Sequence, residues 1–226
     1  MDRRSPRYGS LAVVGTAAAL LLSVSGCVAG LTTLAYFTRG NNVDPDFGGL
    51  KDKKVAVVCR STADLQYNNA SAVRALGQEI SNYLKTNIPT AKMIDQQKVA
   101  KWVDENGSEE YRAVGKALGA EVVVGVDLEA FSIYQGQTLY QGKANARVVV
   151  YDLTKNKKGE ENKEAVFEKD LPQVVYPPNI SIPVQDRPEP EFRSEFVRVL
   201  AQRIARQFYA HDAQADVAQD VDAGLK

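Results

Sequence analysis

The sequence predicts a single α/β domain of two or three layers with a mixed β-sheet, preceded by an N-terminal hydrophobic segment. The expected element order is β-α-β-α-α-β-β-β-α. Apolar, β-branched runs alternate with stretches of helical periodicity in the first half, which is typical of parallel strands joined by helices. Two long strand-like runs then follow each other directly, as antiparallel neighbours do. A final amphipathic helix can cover one face of the sheet.

The first βαβ unit begins at residue 53. "KKVAVVCRS", residues 53–61, is an apolar run between polar residues and predicts a buried strand. Asn68 and Asn69 are the expected start of a helix, and Pro89 is its end. The apolar residues of this helix recur at helical spacing: Val73, Leu76, Ile80 and Leu84. "AKMID", residues 91–95, predicts a second strand, parallel to the first through a right-handed crossover.

Two short helices and a strong strand come next. "QQKVAKWVDE", residues 96–105, and "SEEYRAVGKALG", residues 108–119, predict helices. Ser108 is the expected N-cap of the second helix, and Gly119 lies just past its end. "AEVVVGVDLEAFSIY", residues 120–134, is dense in β-branched residues and predicts the third strand.

The last part of the domain contains two more strands, a proline-rich segment and a helix. Residues 138–153 predict the antiparallel neighbour of the third strand, and residues 165–171 a further strand. Residues 172–190 contain six prolines, which predict an extended surface excursion because proline cannot donate to a ladder. Apolar residues then repeat every four positions: Phe192, Phe196, Leu200, Ile204 and Phe208. This helix should dock on the sheet, the alternative being a basic helix on anionic lipid.

The N-terminal segment carries a targeting signal. Basic residues precede an apolar run over residues 11–22, and "VSGC", residues 24–27, resembles a bacterial lipoprotein signal. We therefore expect residues 1–26 to be a signal peptide and Cys27 to be lipidated. The alternative is an uncleaved transmembrane anchor over residues 11–37, which is longer than the roughly 20 residues that a spanning helix needs. Simple secretion is the least favoured interpretation.

The same segmentation sets the domain boundaries. Residues 27–50 are predicted to be a linker because they end in a stretch rich in Gly, Asn, Asp and Pro. Residues 51–210 should form the domain, including the proline-rich excursion 172–190. Residues 211–226, rich in Ala, Gln and Asp, are predicted to be a disordered tail.

Composition and motifs argue against several function classes. The chain has 28 basic and 28 acidic residues, so it lacks the positive excess of a nucleic-acid binder. Its two cysteines cannot form a disulfide framework, and Cys59 is predicted to be a buried small apolar group. The single histidine, His211, has no second His or Cys beside it for a metal site. We expect no metal and no cofactor.

No catalytic constellation is expected either. The chain has no Gly-x-Ser-x-Gly elbow, and the first strand runs into "CRSTADLQYNN", which lacks the glycines of a phosphate loop. Asp127 and Glu129 alternate along a strand, but such pairs are usually solvated. A cleft at the carboxyl ends of the strands is the candidate for a small ligand or an enzymatic site. Its residues would be Arg60, Ser61, Thr62 and Asp127.

The pattern over residues 53–170 and the last helix resembles an α/β module of bacterial envelope lipoproteins. The matching segments are "KKVAVV", a helix ending in "GKALGA" before the strand "VVVG", and a strand closing on "VYDLTK". Proteins with such a module include the curli-secretion lipoprotein family (CsgG), the activator lipoprotein of penicillin-binding proteins (LpoB) and the N-terminal domain of TolB-like proteins. The resemblance implies a non-catalytic module that binds proteins or the peptidoglycan machinery.

Together these features predict a membrane-anchored envelope lipoprotein with a non-catalytic interaction or assembly domain in the periplasm. Its expected partners are membrane lipid, through the anchor, and another envelope protein, with no nucleic acid and with homo-oligomers as an open option. The outer membrane is favoured over the inner membrane. The alternatives are a subunit of a curli-type secretion assembly, and a ligand-binding or enzymatic domain that uses the cleft described above.

Overall fold

A computed structural model describes residues 42–61, 63–107, 110–154 and 162–212, without the side chains of residues 63–68. The chain divides after Asn42, and the compact unit that follows is described here. Its elements in chain order are β1 (Asn42–Val43), β2 (Lys54–Ser61), α1 (Ala63–Asn87), β3 (Lys92–Met93), α2 (Gln96–Asn106), α3 (Tyr111–Leu118), β4 (Val122–Gln135), β5 (Leu139–Asp152), β6 (Phe167–Asp170), β7 (Val174–Tyr176), β8 (Ile182–Pro183), α4 (Glu189–Ala205) and β9 (His211–Asp212).

The main sheet is mixed, as predicted, with the strand order β3-β2-β4-β5-β6. β2 runs parallel to both β3 and β4, while β4 and β5 form a long antiparallel hairpin. β6, β7 and β8 all pair antiparallel with β5. The α/β class and the order of the main elements are therefore confirmed.

Helices cover both faces of this sheet, which makes three layers. The larger buried cluster lies on the face that α1 and α4 cover, and it includes Leu76, Ile80, Phe192, Phe196, Leu200 and Ile204. The smaller cluster lies on the opposite face, where Val99 of α2 and Val114 of α3 pack with Val58 and Val123. Alternation of side chains along β2 and β4 sends neighbouring residues to opposite clusters.

The C-terminal helix docks on the sheet, as predicted from its four-residue repeat. Phe196 is fully buried, and its ring stacks on Phe131 with 5.2 Å between centroids. A Cβ at Gly142 would lie 2.5 Å from the Phe196 ring, so the ring reaches the backbone of β5 only because that residue is glycine.

The start of α1 was predicted too late. The helix begins at Ala63, and Asn69 lies inside it, buried, where its side chain accepts a hydrogen bond from Arg193 Nη1 of α4 at 3.3 Å. The error has a physical cause: the first large apolar residue of the repeat is Val73, so the periodicity gives no signal for the preceding turns.

Ser108, the predicted cap of α3, lies outside the described residues, and Glu110 occupies the N-cap position.

The predicted linker 27–50 contributes to the core. Leu50 is fully buried, and the Phe47 ring contacts Phe167 and Phe208 at centroid distances of 5.6 and 6.3 Å. The Phe47 N–H also donates to the Gln207 carbonyl at 3.0 Å. Packing therefore begins before Lys51.

His211 and Asp212, the first residues of the predicted tail, form β9, and residues 213–226 lie outside the described chain.

The proline-rich segment 172–190 is extended, as expected, but it also joins the sheet. β7 and β8 pair with β5 along the margin that β6 leaves open. Tyr176 of β7 is buried and lies 6.2 Å from Phe192 between ring centroids. Of the six prolines only Pro183 lies in a strand, the outer strand β8, where a missing N–H breaks no central ladder.

The predicted signal peptide or membrane anchor is not part of the described structure. Residues 1–26, the alternative anchor 11–37 and Cys27 all lie outside it. Every helix within the described ranges is too short or too polar to cross a bilayer.

Candidate functional site

Arg60 and Asp127 lie side by side, because the parallel register of β2 and β4 places them directly opposite each other. Arg60 Nε donates a hydrogen bond to Asp127 Oδ1 and forms an ion pair with it. Tyr111 Oη donates to the same carboxylate oxygen at 2.8 Å. The Arg60 guanidinium also lies 4.3 Å above the centre of the Tyr111 ring. The three side chains thus form one closed cluster of a cation, an anion and an aromatic donor.

Tyr111 enters this cluster from the first turn of α3. A Cβ at Gly125 would lie 2.7 Å from ring atoms of Tyr111, so the ring rests on the bare backbone of β4. Gly125 and Asp127 are two residues apart and therefore share a face of the strand. Tyr111 was not predicted from the sequence, although a glycine within the β-branched run "VVVGVD" is a sign of a close neighbour.

The electrostatics favour the arrangement as it stands. Burial is the main cause that raises the pKa of Tyr111, and the negative charge of Asp127 adds to it. Desolvation is the largest single effect and opposes the charge of Arg60. The hydrogen bond to Asp127 and the charges of Tyr111, Asp127 and Tyr151 together outweigh it and raise the pKa of the guanidinium. The phenol therefore stays neutral and the guanidinium stays charged across the physiological pH range.

The cluster belongs to a row of alternating charges across four strands. The register places Arg147 of β5 opposite Asp127, and Asp170 of β6 opposite Arg147. Arg147 Nε donates to Asp170 Oδ1 at 2.7 Å, and this hydrogen bond lowers the pKa of Asp170. Glu129, the other member of the carboxylate pair considered above, is exposed at a register shift between β4 and β5. Asp127 is thus engaged by Arg60 and Tyr111 rather than held beside a second carboxylate.

A cleft of about 330 Å³ opens beside this cluster, between α1 and α2. Arg60 and Ser61 line it, whereas Asp127 does not, and Thr62 lies outside the described residues. The three described residues of the predicted set are therefore divided between the cleft and the charge row. The walls are formed mainly by small apolar groups: Ala70, Val73 and Gly77 of α1, and Val99, Ala100 and Val103 of α2.

The cleft exists because β3 is short. β3 pairs only with Lys54 and Val55, so within the described part of the chain the rest of that edge of β2 has no neighbouring strand. After β3, the Ile94 N–H donates to the Val55 carbonyl at 2.8 Å. The chain then turns into α2, and the side-chain amide of Gln96 donates to the Val57 carbonyl at 3.1 Å. The uncovered edge of β2 runs along the floor of the cleft.

Gly77 sets how closely the two helices approach this edge. A Cβ at Gly77 would lie 3.1 Å from Gln96 Oε1 and 3.6 Å from Cys59 Sγ. At the mouth of the cleft, Arg74 Nη2 donates to Asp104 Oδ1 at 2.7 Å and so connects α1 to α2. Both side chains are more than half exposed, so this pair contributes little to stability.

Cys59 lies at the cleft as a neutral thiol. Burial is the main cause that raises its pKa, and the charge of Asp127 adds to it. The thiolate is the reactive form, so this environment makes Cys59 a poor nucleophile. Cys59 is partly buried and packs against the larger core cluster, in line with its predicted role as a small apolar group. Within the described ranges, no three His, Cys, Asp or Glu side chains come together in a way that could hold a metal ion.

The sequence matches no protein-family model and no curated protein. Among solved structures, it is similar to the PelC dodecamer from Paraburkholderia phytofirmans, with 11% identity over 74% of this chain and 96% of that one, at a TM-score of 0.41. It is similar to lipoprotein GNA1162 from Neisseria meningitidis, with 10% identity over 67% and 97% of the two chains and a TM-score of 0.37.

The chain is also similar to the C-terminal domain of LpoB from Salmonella enterica, with 12% identity over 56% of this chain and 85% of that one, at a TM-score of 0.34. Bacterial lipoproteins are therefore among the structural neighbours. The resemblance to the curli-secretion and TolB-like proteins stays a prediction from the sequence.

Proposed function

We propose that this protein is a membrane-anchored envelope lipoprotein whose α/β domain binds a partner protein through the cleft between α1 and α2. The observation that carries the proposal is the composition of that cleft. Small apolar walls meet an uncovered strand edge, so one surface offers both hydrophobic contact and backbone hydrogen-bonding groups. Interfaces that bind polypeptide combine these two features.

The chemistry beside the cleft supports binding rather than catalysis. Asp127 accepts hydrogen bonds from both Arg60 and Tyr111. The charges and the donated protons of these groups are therefore already engaged within the cluster. The Cys59 thiol is held in its less reactive form by burial. We therefore propose that the domain is non-catalytic and that these groups stabilise the strands that form the floor of the cleft.

A cleft variant tests the binding function. Val73→Glu places a charge on an apolar wall, and the full-length variant should lose a protein that copurifies with the wild type from detergent-solubilised envelopes. Val166→Glu is the matched control, because Val166 is 40% exposed and does not line the cleft. Circular dichroism of both variants checks that the domain is folded. Retention of the same protein by folded Val73→Glu would contradict the proposal.

The anchor is proposed from the sequence signal at Cys27. Purified membrane-bound protein should have an intact mass that starts at Cys27 and includes added acyl chains, since stable anchoring takes more than one chain. Cys27→Ser should abolish both the cleavage and the acyl mass. A mass that includes residue 1 without acyl groups would instead support the transmembrane anchor. Separation of outer and inner membranes tests the proposed outer-membrane location.

One observation favours a second candidate function. The cleft volume of about 330 Å³ falls within the range of small-molecule pockets. Under this alternative the domain binds a small, mainly apolar ligand, which native mass spectrometry of the purified protein would detect. A ligand that is lost in Arg60→Ala, together with an unchanged set of copurifying proteins, would favour this candidate over the protein-binding one.

A further inference from the structure

On the basis of the proposed function, we infer that the partner enters the cleft as an extended segment and adds a strand to the edge of β2. The segment would lie between α1 and α2, where the short β3 leaves that edge without a neighbouring strand from the residues that the structure describes. Its main chain would bind the edge, and its side chains would fill the apolar walls. This specifies the class of ligand: an extended polypeptide stretch with small aliphatic side chains.

The hydrogen-bonding groups of the edge follow the alternation of a strand. The carbonyls of Val55 and Val57 point away from β4, since one accepts from Ile94 N–H and the other from the Gln96 amide. Residues two apart in a strand point their backbone groups to the same side, so those of Cys59 and Ser61 also point to this edge. Both residues line the cleft. The floor thus repeats its donors and acceptors at the spacing that an added strand matches.

Gln96 acts as a removable substitute for the missing strand. Its side-chain amide supplies the one hydrogen bond to Val57 that a neighbouring backbone N–H would otherwise supply. Release of this side chain leaves α2 intact, because Asp95 caps the helix by accepting from Gln97 N–H at 2.7 Å. An incoming segment can therefore replace one side-chain hydrogen bond without unfolding any element.

The walls select the side chains of the segment. Successive side chains of a strand point to opposite faces, so one set would meet α1 and the other α2. The groups that receive them are small: Val73 and Gly77 on one side, Ala100 and Val103 on the other. This favours Ala and Val over aromatic residues. The Arg74–Asp104 pair at the mouth adds a charged rim that suits polar residues flanking the segment.

The first step of the test identifies the bound segment. A photo-crosslinking residue, p-benzoylphenylalanine, replaces Gln78 at the cleft rim in the full-length protein in its native membrane. Gln173, an exposed residue away from this cleft, is the matched control position. We expect a protein crosslink from position 78 that is absent from position 173. Adducts only with lipid or another small molecule would overturn the inference.

The second step asks whether the segment binds as a strand. The crosslinked segment is synthesised as a peptide, together with two versions N-methylated at alternate residues in the two registers. One register should weaken binding to the purified protein roughly tenfold or more, because it removes the N–H groups that face β2, while the other leaves binding nearly unchanged. Hydrogen exchange at Cys59 and Ser61 should slow when the unmodified peptide binds.

The outcomes separate this inference from the proposed function. Equal binding of all three peptides, or unchanged exchange at Cys59 and Ser61, would overturn strand addition while leaving the cleft as the partner site. If the Val73→Glu protein still copurifies with its partner but no longer gives the crosslink from position 78, the proposed function is instead overturned. Gln96→Ala should tighten peptide binding severalfold, because no hydrogen bond has to be displaced, whereas Gln97→Ala should not. Weaker binding by folded Gln96→Ala would contradict the role assigned to that amide.

Discussion

At the scale of single residues, two glycines allow the close contacts that position the groups beside the cleft. Tyr111 rests on Gly125 and from there reaches Asp127, which in turn holds Arg60. Gly77 has the same role for Gln96, whose side chain can reach the edge of β2 because Gly77 has no Cβ. A methyl group at either glycine would move a side chain that lines or supports the cleft.

Gly125→Ala should destabilise the domain by about 1–3 kcal/mol, because the added Cβ would overlap the Tyr111 ring at 2.7 Å. Urea unfolding followed by circular dichroism measures the change. Gly48→Ala is the control, since no atom lies within 4 Å of a Cβ at that position. Equal unfolding midpoints for the two variants would show that the Tyr111 contact is not tight.

Tyr134 should lose its proton at a higher pH than a free tyrosine. Its hydroxyl donates to Glu189 Oε2 at 2.7 Å, and this hydrogen bond raises the pKa of Tyr134 to about 12. The folded-state pKa lies above that of a free tyrosine, so the bond persists below about pH 10 and is lost as the pH rises through the folded value. NMR of labelled tyrosine rings, assigned with Tyr134→Phe, follows this titration.

Glu189→Gln should bring the pKa of Tyr134 back toward the ordinary value near 10. Glu191→Gln on the same helical turn provides the control, because Glu191 forms an ion pair with Arg187 instead. A Tyr134 midpoint that stays high in Glu189→Gln would assign the shift to another cause.

The candidate site could be predicted only in part at this scale. Arg60 and Asp127 were found because the ends of two parallel strands bring residues together, and the sequence pattern locates such ends. Tyr111 and Gln96 were missed because each begins a helix, where periodicity says nothing about the direction of the first side chains. Ser61 was placed at the cleft for the same reason as Arg60, and it lines the cleft between α1 and α2.

At the scale of elements, apolar patterns predicted type and order well and boundaries less well. α4 was predicted from its four-residue repeat, and its apolar face is fully buried. The two-residue length of β3 was not predictable, because the apolar pattern of "AKMID" continues at Ile94, beyond Met93 where the pairing with β2 ends. The walls of the cleft depend on that short strand and could not be derived from the sequence, although Arg60 and Ser61 of the predicted cleft do line it.

Phe196→Ala should reduce the free energy of unfolding by about 3–5 kcal/mol, because it removes a buried ring that stacks on Phe131 and fills the space above Gly142. Ser194→Ala, at an exposed position of the same helix, should change stability little. Thermal and urea unfolding of the two variants provide the comparison. Similar values would indicate that α4 is not part of the cooperative core.

At the scale of the whole molecule, the packed unit extends beyond the limits that composition suggests. Phe47 and Leu50 come from a stretch rich in glycine and aspartate, yet they join the larger core cluster. Two apolar residues in a polar stretch give no periodicity, so the sequence alone could not separate them from a linker. The domain is held together at this end by the contacts of Phe47 with Phe167 and Phe208.

A fragment of residues 43–212 should therefore be more stable than one of residues 51–212. The shorter fragment loses the fully buried Leu50, and such a loss costs roughly 2–5 kcal/mol. Leu50→Ala in the longer fragment should reproduce most of the difference. Equal unfolding midpoints for the two fragments would place the start of the cooperative unit after residue 50.

The uncovered edge of β2 also bears on how the protein behaves at high concentration. An open edge of an apolar strand can pair with the same strand of another molecule and start aggregation. Here α1 and α2 stand on either side of the edge, and the Gln96 amide occupies the Val57 carbonyl. A strand that pairs with this edge must therefore pass between the two helices and displace the Gln96 amide. The same two helices that line the cleft therefore protect the edge against pairing with a second folded sheet.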